Sequence, residues 1–408
     1  MRFFAIARKS IVLFLFIMSS ICAYAAEYYV TTSGSGDGSS WSKAMGPQSF
    51  IQKLENASDG DVFNVASGEY RVNCTISKSV TIKGSATLKD KYTTVFLSDT
   101  DSNNGLITIK DAENVRFESI CFKYGKGILG DYKVSLELYN CRFDQTKVPI
   151  RKAGNLTVVS CHFKEIDLFE MGYPSTIIAG VNGSFYMDKC LVENVVTGPG
   201  GYILTGDYEG NKATSFLLLN TTFIENSGYN GNAETHLSPN VSPLFRFPEN
   251  ARVFSCTFVN NKLNHCKSLF EVRGSQTYKG NIFVANDSVV SFEKFADIEI
   301  GSDILFSYNL IDFEVPSKYK SNQACKLDVS EYLSGSIING KYKAKLTPID
   351  NSFVSYVSVL SDAMPDGTPL TYDNQQTYVD DDVRGEVRRS LTCYGAYDRV
   401  FHGSGSGG

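Results

Sequence analysis

The chain has 408 residues, 20% charged and 42% hydrophobic, which excludes a disordered polymer. Its 34 Gly and 11 Pro are too few for collagen or a low-complexity linker. The formal net charge is −5, from 39 basic and 44 acidic residues, and argues against nucleic acid or an acidic membrane as the main partner.

Residues 1–25 carry the pattern of a secretory signal peptide. Arg2, Arg8 and Lys9 form a positive first region, Ile11 to Ile17 an apolar one, and Ala23-Tyr24-Ala25 a cleavage site. The apolar run is too short for a membrane span, and no second one occurs later in the chain. Cys22 offers lipid anchoring as an alternative, for which Ile21 is a poor preceding residue. Losing those three basic residues takes the net charge from −5 to −8. The expected location is secreted or on the outer cell surface.

Residues 47–56 place Phe50, Ile51 and Leu54 at helical spacing, and Ser58-Asp59-Gly60-Asp61 then turns the chain. A short capping helix is expected before a strand starting at Val62. Val80 and Ile82, before Lys83-Gly84, mark an early rung of a stacked repeat.

From 115 to 283 seven segments align without gaps: VRFESICF, LELYNCRF, LTVVSCHF, FYMDKCLV, FLLLNTTF, ARVFSCTF and QTYKGNIF. Their steps are 21, 20, 29, 31, 35 and 25 residues. One column holds Ile120, Cys141, Cys161, Cys190, Thr221, Cys256 and Asn281. Two residues on, six of the seven positions are Phe and the other is Val192. Positions three and five before the column are also mostly apolar, but with the parity shifted by one. A single strand cannot change parity without a bend. Each repeat is therefore two short strands meeting at a corner, where Ser119, Asn140, Ser160, Lys189, Asn220, Ser255 and Gly280 stand. Such a unit, stacked with loops of variable length, predicts an all-β fold, a right-handed parallel β-helix with an N-terminal capping helix and an irregular C-terminal cap. Asn309-Leu310-Ile311 reads as a late rung, and roughly eight to ten rungs at a strand spacing of about 4.8 Å make a tube some 40–50 Å long. The expected organisation is 1–25 signal peptide, 26–313 β-helix with its N-terminal cap, 314–402 C-terminal cap region, and 403–408 a flexible Gly/Ser linker.

Tyr28-Tyr29-Val30, Gly36-Asp37-Gly38-Ser39-Ser40-Trp41, Asp59-Gly60-Asp61-Val62-Phe63 and Ser67-Gly68-Glu69-Tyr70 together resemble the opening of secreted bacterial β-helix proteins of the pectin-lyase-like superfamily. Gly280-Asn281-Ile282-Phe283 and Ser307-Tyr308-Asn309-Leu310-Ile311 look like late rungs of that superfamily. Arg384-Gly385 with Tyr394-Gly395-Ala396-Tyr397-Asp398 resembles the closing motif of its choice-of-anchor members. The resemblance implies the fold. It implies no catalytic residue, because the matched motifs are turns and caps and the superfamily hosts lyases, hydrolases, epimerases and adhesins.

Nine cysteines lie beyond the signal segment. Cys141, Cys161, Cys190 and Cys256 share an inward column, where a stack of buried thiols is expected, since parallel Cβ vectors start a disulfide poorly. Cys325 with Cys393 is the better disulfide candidate. The four histidines are scattered, and adjacent His265-Cys266 is not zinc-ligand spacing, so no metal site is expected. Gly34-Ser35-Gly36-Asp37-Gly38 lacks the Lys-Ser/Thr of a phosphate cradle and reads as a surface turn. Asp380-Asp381-Asp382 lacks calcium-loop alternation and reads as a solvated turn. Of seven Asn-x-Ser/Thr sequons, Asn220 falls at an interior corner, which argues that they reflect composition more than glycosylation.

Ten residues before the cysteine column, Arg151, Gly180, Arg246 and Glu271 share a register. Apolar neighbours on both sides turn Arg151, Arg246, Glu271 and Arg273 outward. Arg246 and Glu271 are expected on adjacent rungs, as a surface salt-bridge ladder or as a groove that grips acidic sugars. Long insertions carry Tyr173, Tyr202, Tyr208 and Tyr229 toward the same side, where they suit stacking on sugar rings. The function expected is an exported β-helix protein that binds a polysaccharide or surface glycan, or mediates adhesion, without catalysis and without a cofactor. The alternative is a lyase on an acidic, uronate-containing polysaccharide, which would need a basic residue beside a calcium ion or an arginine clamp.

Overall fold

The computed structural model describes residues 25–85, 92–98, 105–168, 176–208, 210–229, 242–284, 286–287, 289, 291–307, 309–311 and 313–316, with short strands at 325–326, 337–338 and 341–342. The signal segment up to residue 24, Tyr173, Asp380 to Asp382, the side chains of the Cys325–Cys393 pair and most of the 314–402 cap lie outside the described residues, as does the 403–408 linker.

Three sheets run the length of a coil. The first holds eleven strands, from Glu27–Val30 through Val62–Val65, Val80–Gly84 and Asn114–Glu118 to Asp303–Ser307. The second also holds eleven, from Gly68–Arg71 to Cys325–Lys326. The third face comes in two stretches, five strands from Cys74–Ile76 to Ile178–Val181 and four from Leu204–Thr205 to Ala296–Ile298. Ile177 N–H donates to Ile203 O across the break at 3.2 Å. Within these three faces every strand pairs in parallel with its counterpart one coil later, for example Leu136 with Val115 and Leu156. That topology is an all-β solenoid, a parallel β-helix. The coil has more rungs than the repeat alone shows, because strands 27–30 and 62–65 of the cap region are already wound into the first sheet.

The corner between the first and second sheets has the backbone that the parity shift demands. Ser119, Asn140, Ser160, Lys189, Asn220 and Ser255 sit at φ between 42° and 56°, and Gly280 at 69°. One left-handed residue turns the chain and resets which side chains face inward. Its N–H remains in the ladder: Ser119 donates to Tyr139 O at 3.0 Å, Asn140 to Val159 O at 2.9 Å, and Ser160 to Asp188 O at 3.0 Å. A second corner, four residues after the cysteine column, does the same with Tyr124, Gln145, Glu165, Asn194, Glu225 and Asn260, all at positive φ. Tyr, Gln and Glu carry no turn signal, so this corner was invisible in the sequence.

The interior is built from columns. Phe122, Phe143 and Phe163 stack at 4.9 and 5.1 Å between ring centroids, and Phe223, Phe258 and Phe283 at 4.8 and 5.1 Å. Cys141, Cys161, Cys190 and Cys256 are buried free thiols, as are Cys74, Cys121 and Cys266. The column works as a hydrogen-bond ladder: Cys161 Sγ accepts from Cys141 N–H at 3.3 Å, Cys190 Sγ from Cys161 N–H at 3.4 Å, and Thr221 Oγ1 from Cys190 N–H at 3.4 Å. Burial holds the Cys141 and Cys161 thiols well above their ordinary pKa.

A ladder of asparagines lines the far side. Asn261 Oδ1 accepts from the Asn226 N–H and side chain at 3.2 and 3.0 Å, and Asn261 Nδ2 donates to Phe223 O and Asn286 Oδ1 at 3.1 and 2.8 Å. The N-terminal end is closed by the helix Pro47–Glu55, with Pro47 at its first position and Phe50 and Leu54 buried against the coil. Asp61 ties this cap down by accepting from Ala26 N–H at 3.0 Å and Ser58 N–H at 2.9 Å. In the expected surface turn, Gly34 and Gly36 lie against the Lys43–Met45 backbone, where a Cβ would come within 2.5 Å or less.

Substitutions in the asparagine ladder and at the first corner should separate these two contributions to stability. Asn261→Leu strands the Phe223 carbonyl and the Asn226 amide in the core and should cost about 2–5 kcal/mol, seen as a lower denaturation midpoint. Ser160→Gly should hold or raise stability, while Ser160→Val should lower it by about 1–2 kcal/mol, because a β-branched residue is poorly housed at positive φ.

Candidate glycan-binding face

The outer wall of the third face gathers the charge. Phe245, Phe247, Phe270 and Val272 point inward and are buried, so Arg246, Glu271 and Arg273 point outward, as alternation requires. Arg246 pairs with Glu271 on the next coil, and Glu271 with Asp297 on the one after. Arg246 Nε stands 3.0 Å from Glu271 Oε2, an ion pair too far off line to be a hydrogen bond. Arg273 NH2 donates to Glu271 Oε1 at 3.0 Å.

Two further residues complete the cluster, and both come from the insertion between coils. Tyr202 hydroxyl accepts from Arg246 NH1 at 2.9 Å, and the guanidinium lies 5.6 Å from the Tyr202 ring centroid. Asp207 Oδ2 lies 3.4 Å from Arg246 NH2 and 3.8 Å from Arg273 NH1. Asp207 opens a small antiparallel hairpin, Asp207–Tyr208 against Asn211–Lys212, braced by Thr205 Oγ1, which accepts from Asp207 N–H at 3.1 Å and donates to Asp207 O at 2.9 Å. The hairpin is held at its far side by Asn211 Nδ2 donating to Tyr132 hydroxyl at 2.9 Å. The sequence directs the Tyr202 insertion to this side, but no local pattern in it shows that Asp207 meets Arg246.

The cluster is sheltered. The Asp207, Glu271, Arg246 and Arg273 side chains keep 10, 19, 20 and 30% of their surface exposed. Burial alone would lower the Arg246 pKa, but Tyr202, Glu271 and Asp207 more than offset it and the net shift is upward. Arg273 also lies 3.8 Å from the well-exposed Glu299.

The other expected site residues are not all brought here. Arg151 stands in the same column, but Ala179 and Thr205 lie between it and Arg246, so it is three coils away, about 14 Å at the usual strand spacing. Gly180 is not in that column. Ala179 pairs with Arg151 instead, because the coil has one more residue between the third and first sheets there than the coils of Arg151, Arg246 and Glu271 have. Tyr208 and Tyr229 are half-buried beside their own loops, and Tyr173 lies outside the described residues.

A second charged cluster, on the outer face of the second sheet, was not singled out from sequence. His162 Nε2 lies 3.0 Å from Glu193 Oε1 on the next coil, with Lys164 Nζ 3.7 Å from the same oxygen. The register of the aligned repeats already placed His162 and Lys164 outward and one coil before Glu193.

Among the described residues no group of three or more His, Cys, Asp or Glu could hold a metal, and Asp207 and Glu271 already face guanidinium nitrogens. Among the same residues no helix is long and apolar enough to cross a membrane.

No protein-family model matches the chain, and no curated protein matches it. Similar solved structures include a PL6 family alginate lyase, 14% identical with a TM-score of 0.40 over 71% of this chain and 40% of that one. Another is the pectate lyase Pel9A, 12% identical with a TM-score of 0.33 over 92% of this chain and 96% of that one. The chain thus spans 40% of the length of the alginate lyase. On its own strand register the protein is a parallel β-helix.

Arg246→Met removes the cation that, among the described residues, touches Tyr202, Asp207 and Glu271 together. It should lower stability by about 1–3 kcal/mol. A double-mutant cycle with Glu271→Gln on denaturation midpoints should show a favourable coupling between the two; no coupling would mean that the pair is only proximate.

Proposed function

We propose that the protein is exported and binds a polysaccharide or surface glycan, without catalysis, through the wall around Tyr202 and Arg246. The observation that carries this reading is the mutual neutralisation of the cluster. Both arginines face Asp207 and Glu271, so neither is left as an uncompensated cation for a uronate. Their net charge favours hydroxyl-rich, weakly charged sugars, with carboxylate and tyrosine oxygens accepting from sugar hydroxyls and Tyr202 offering a ring face. A rigid coil with the site at a loop edge suits binding that needs no movement. The signal pattern of residues 1–25 supports export, and the net charge of −8 after its removal favours neutral over acidic ligands.

A glycan array followed by titration of the best ligand tests this. Tyr202→Ala should weaken binding about tenfold, the equivalent of about 1.4 kcal/mol, with the circular-dichroism spectrum unchanged. In parallel, pectins, alginates and glycosaminoglycans are incubated with the protein, with and without calcium, and ultraviolet absorbance of unsaturated uronate is monitored. No rise is expected. A rise abolished by Arg246→Ala would replace binding by lyase chemistry.

A further inference from the structure

The hydrogen-bond ladder of the first sheet begins at Ala26. Its carbonyl oxygen accepts from Val62 N–H at 2.9 Å, and its own N–H donates to Asp61 Oδ1 at 3.0 Å. Strand Glu27–Val30 then pairs with Val62–Val65. Ala25, one residue earlier, is exposed and makes no hydrogen bond with another described residue. The Ala23-Tyr24-Ala25 pattern places signal-peptide cleavage between Ala25 and Ala26. The bond to be cut therefore joins a residue that the ladder does not hold to the first residue that it does.

Asp61 is the other half of the arrangement. Its second oxygen, Oδ2, accepts from Ser58 N–H at 2.9 Å. Among the described residues the carboxylate has these two amide donors and no cationic partner. Lys78, one coil later, faces Asp59 instead, at 3.7 Å. The other carboxylate beside Ala26 in the chain, that of Glu27, accepts from Tyr29 hydroxyl at 3.0 Å. Asp61 is thus a carboxylate served by neutral donors only, and a positive charge placed on the Ala26 nitrogen would be its direct counter-ion.

We propose that hydrolysis of the Ala25–Ala26 bond supplies that charge: the α-ammonium of the mature N-terminus pairs with Asp61 and locks the N-terminal end of the coil. The inference rests on the export reading above, through its cleavage site. In the cleavage the amide C–N bond breaks, and water gives its oxygen to the Ala25 carboxylate and both its protons to the Ala26 nitrogen. Before it, that nitrogen is a neutral amide with one hydrogen. After it, with an ordinary α-amino pKa of about 8, the group is a cation at neutral pH. One of its hydrogens keeps the 3.0 Å line to Asp61 Oδ1, so the fold need not rearrange. A charge-assisted bond, about twice as strong as a neutral one, replaces the amide bond. Processing thereby tightens the edge at which the first sheet starts, where Glu27–Val30 is the terminal strand.

Two measurements test this. The full chain is expressed in a secreting bacterial host, and the N-terminal peptide of the exported protein is identified by mass spectrometry. It should begin at Ala26. Failure of export, or retention of residues 1–25, would overturn the export reading and the proposal with it. Export with an N-terminus elsewhere, at Cys22 for instance, would overturn the proposal and leave export standing. The ion pair is then tested without export, on the chain from Ala26 onward released from an N-terminal fusion, with its amine either free or acetylated. Acetylation restores the neutral amide N–H of the uncleaved chain. Hydrogen exchange over residues 58–66 should be at least about tenfold faster in the acetylated form. In Asp61→Asn the free and acetylated forms should exchange alike. Equal exchange of the two forms with Asp61 in place, or an acetylation effect that survives in Asp61→Asn, would overturn the ion pair.

Discussion

The fold depends on one constraint, a single residue at positive φ that turns the chain between the first two sheets while its N–H stays bonded to the next coil. The conformation is unfavourable for a side chain such as that of Lys189 there, or of Glu165 at the second corner, at about 1–2 kcal/mol for a non-glycine residue. It persists because the ladder on both sides over-determines it: the Ser160 and Glu165 amides both reach the neighbouring coil, at 3.0 and 3.2 Å. Small polar residues at the first corner reduce that cost. The second corner tolerates Tyr, Gln and Glu, since the hydrogen bonds and not the side chains hold it.

The columns are a consequence of that constraint. Once each coil turns at the same place, like residues meet like, and the interior becomes stacks of Phe, Cys and Asn one strand spacing apart. The stacks differ in what they supply. Phe rings contribute apolar burial and stacking. The Cys and Asn columns contribute acceptors for amides that point inward and would otherwise be orphaned in the core. A thiol is adequate for the first role, and Asn281 takes over that column with Oδ1 accepting from Cys256 N–H at 2.8 Å.

Function has to be sought where the coils differ. The coils around Arg246 bear the hairpin at Asp207 and the tyrosine at 202, and a neutralised network of arginines and carboxylates forms there. On the first sheet of the same coils the outward positions are apolar and buried, with Leu217, Leu219 and Phe254 there. The two sides of the C-terminal half thus divide labour: one keeps its polar groups near solvent, the other is given over to packing. The N-terminal coils, polar and half-exposed on the first two sheets, show neither feature.

Most of the fold was legible in the amino-acid order, because its causes are local. Period-two alternation, the parity shift and the small corner residues lie within eight residues of one another, so the strands, the first corner, the capping helix and the inward cysteine column could be read directly. Register across coils was legible wherever repeats kept their length, which placed Arg246 beside Glu271 and left Arg273 outward. One extra residue near Gly180 was enough to misplace that position. Asp207 at the cluster could not be read, nor could the second corner, and Tyr202 was placed on that side without its hydrogen bond to Arg246. These arise from contacts between residues tens of positions apart, where loop conformation and the ladder of the neighbouring coil, not local preference, set the geometry. Amino-acid order alone therefore specifies a parallel coil and its inner columns. Which outer side chains meet is settled only in three dimensions, because a loop's path is chosen by what it packs against.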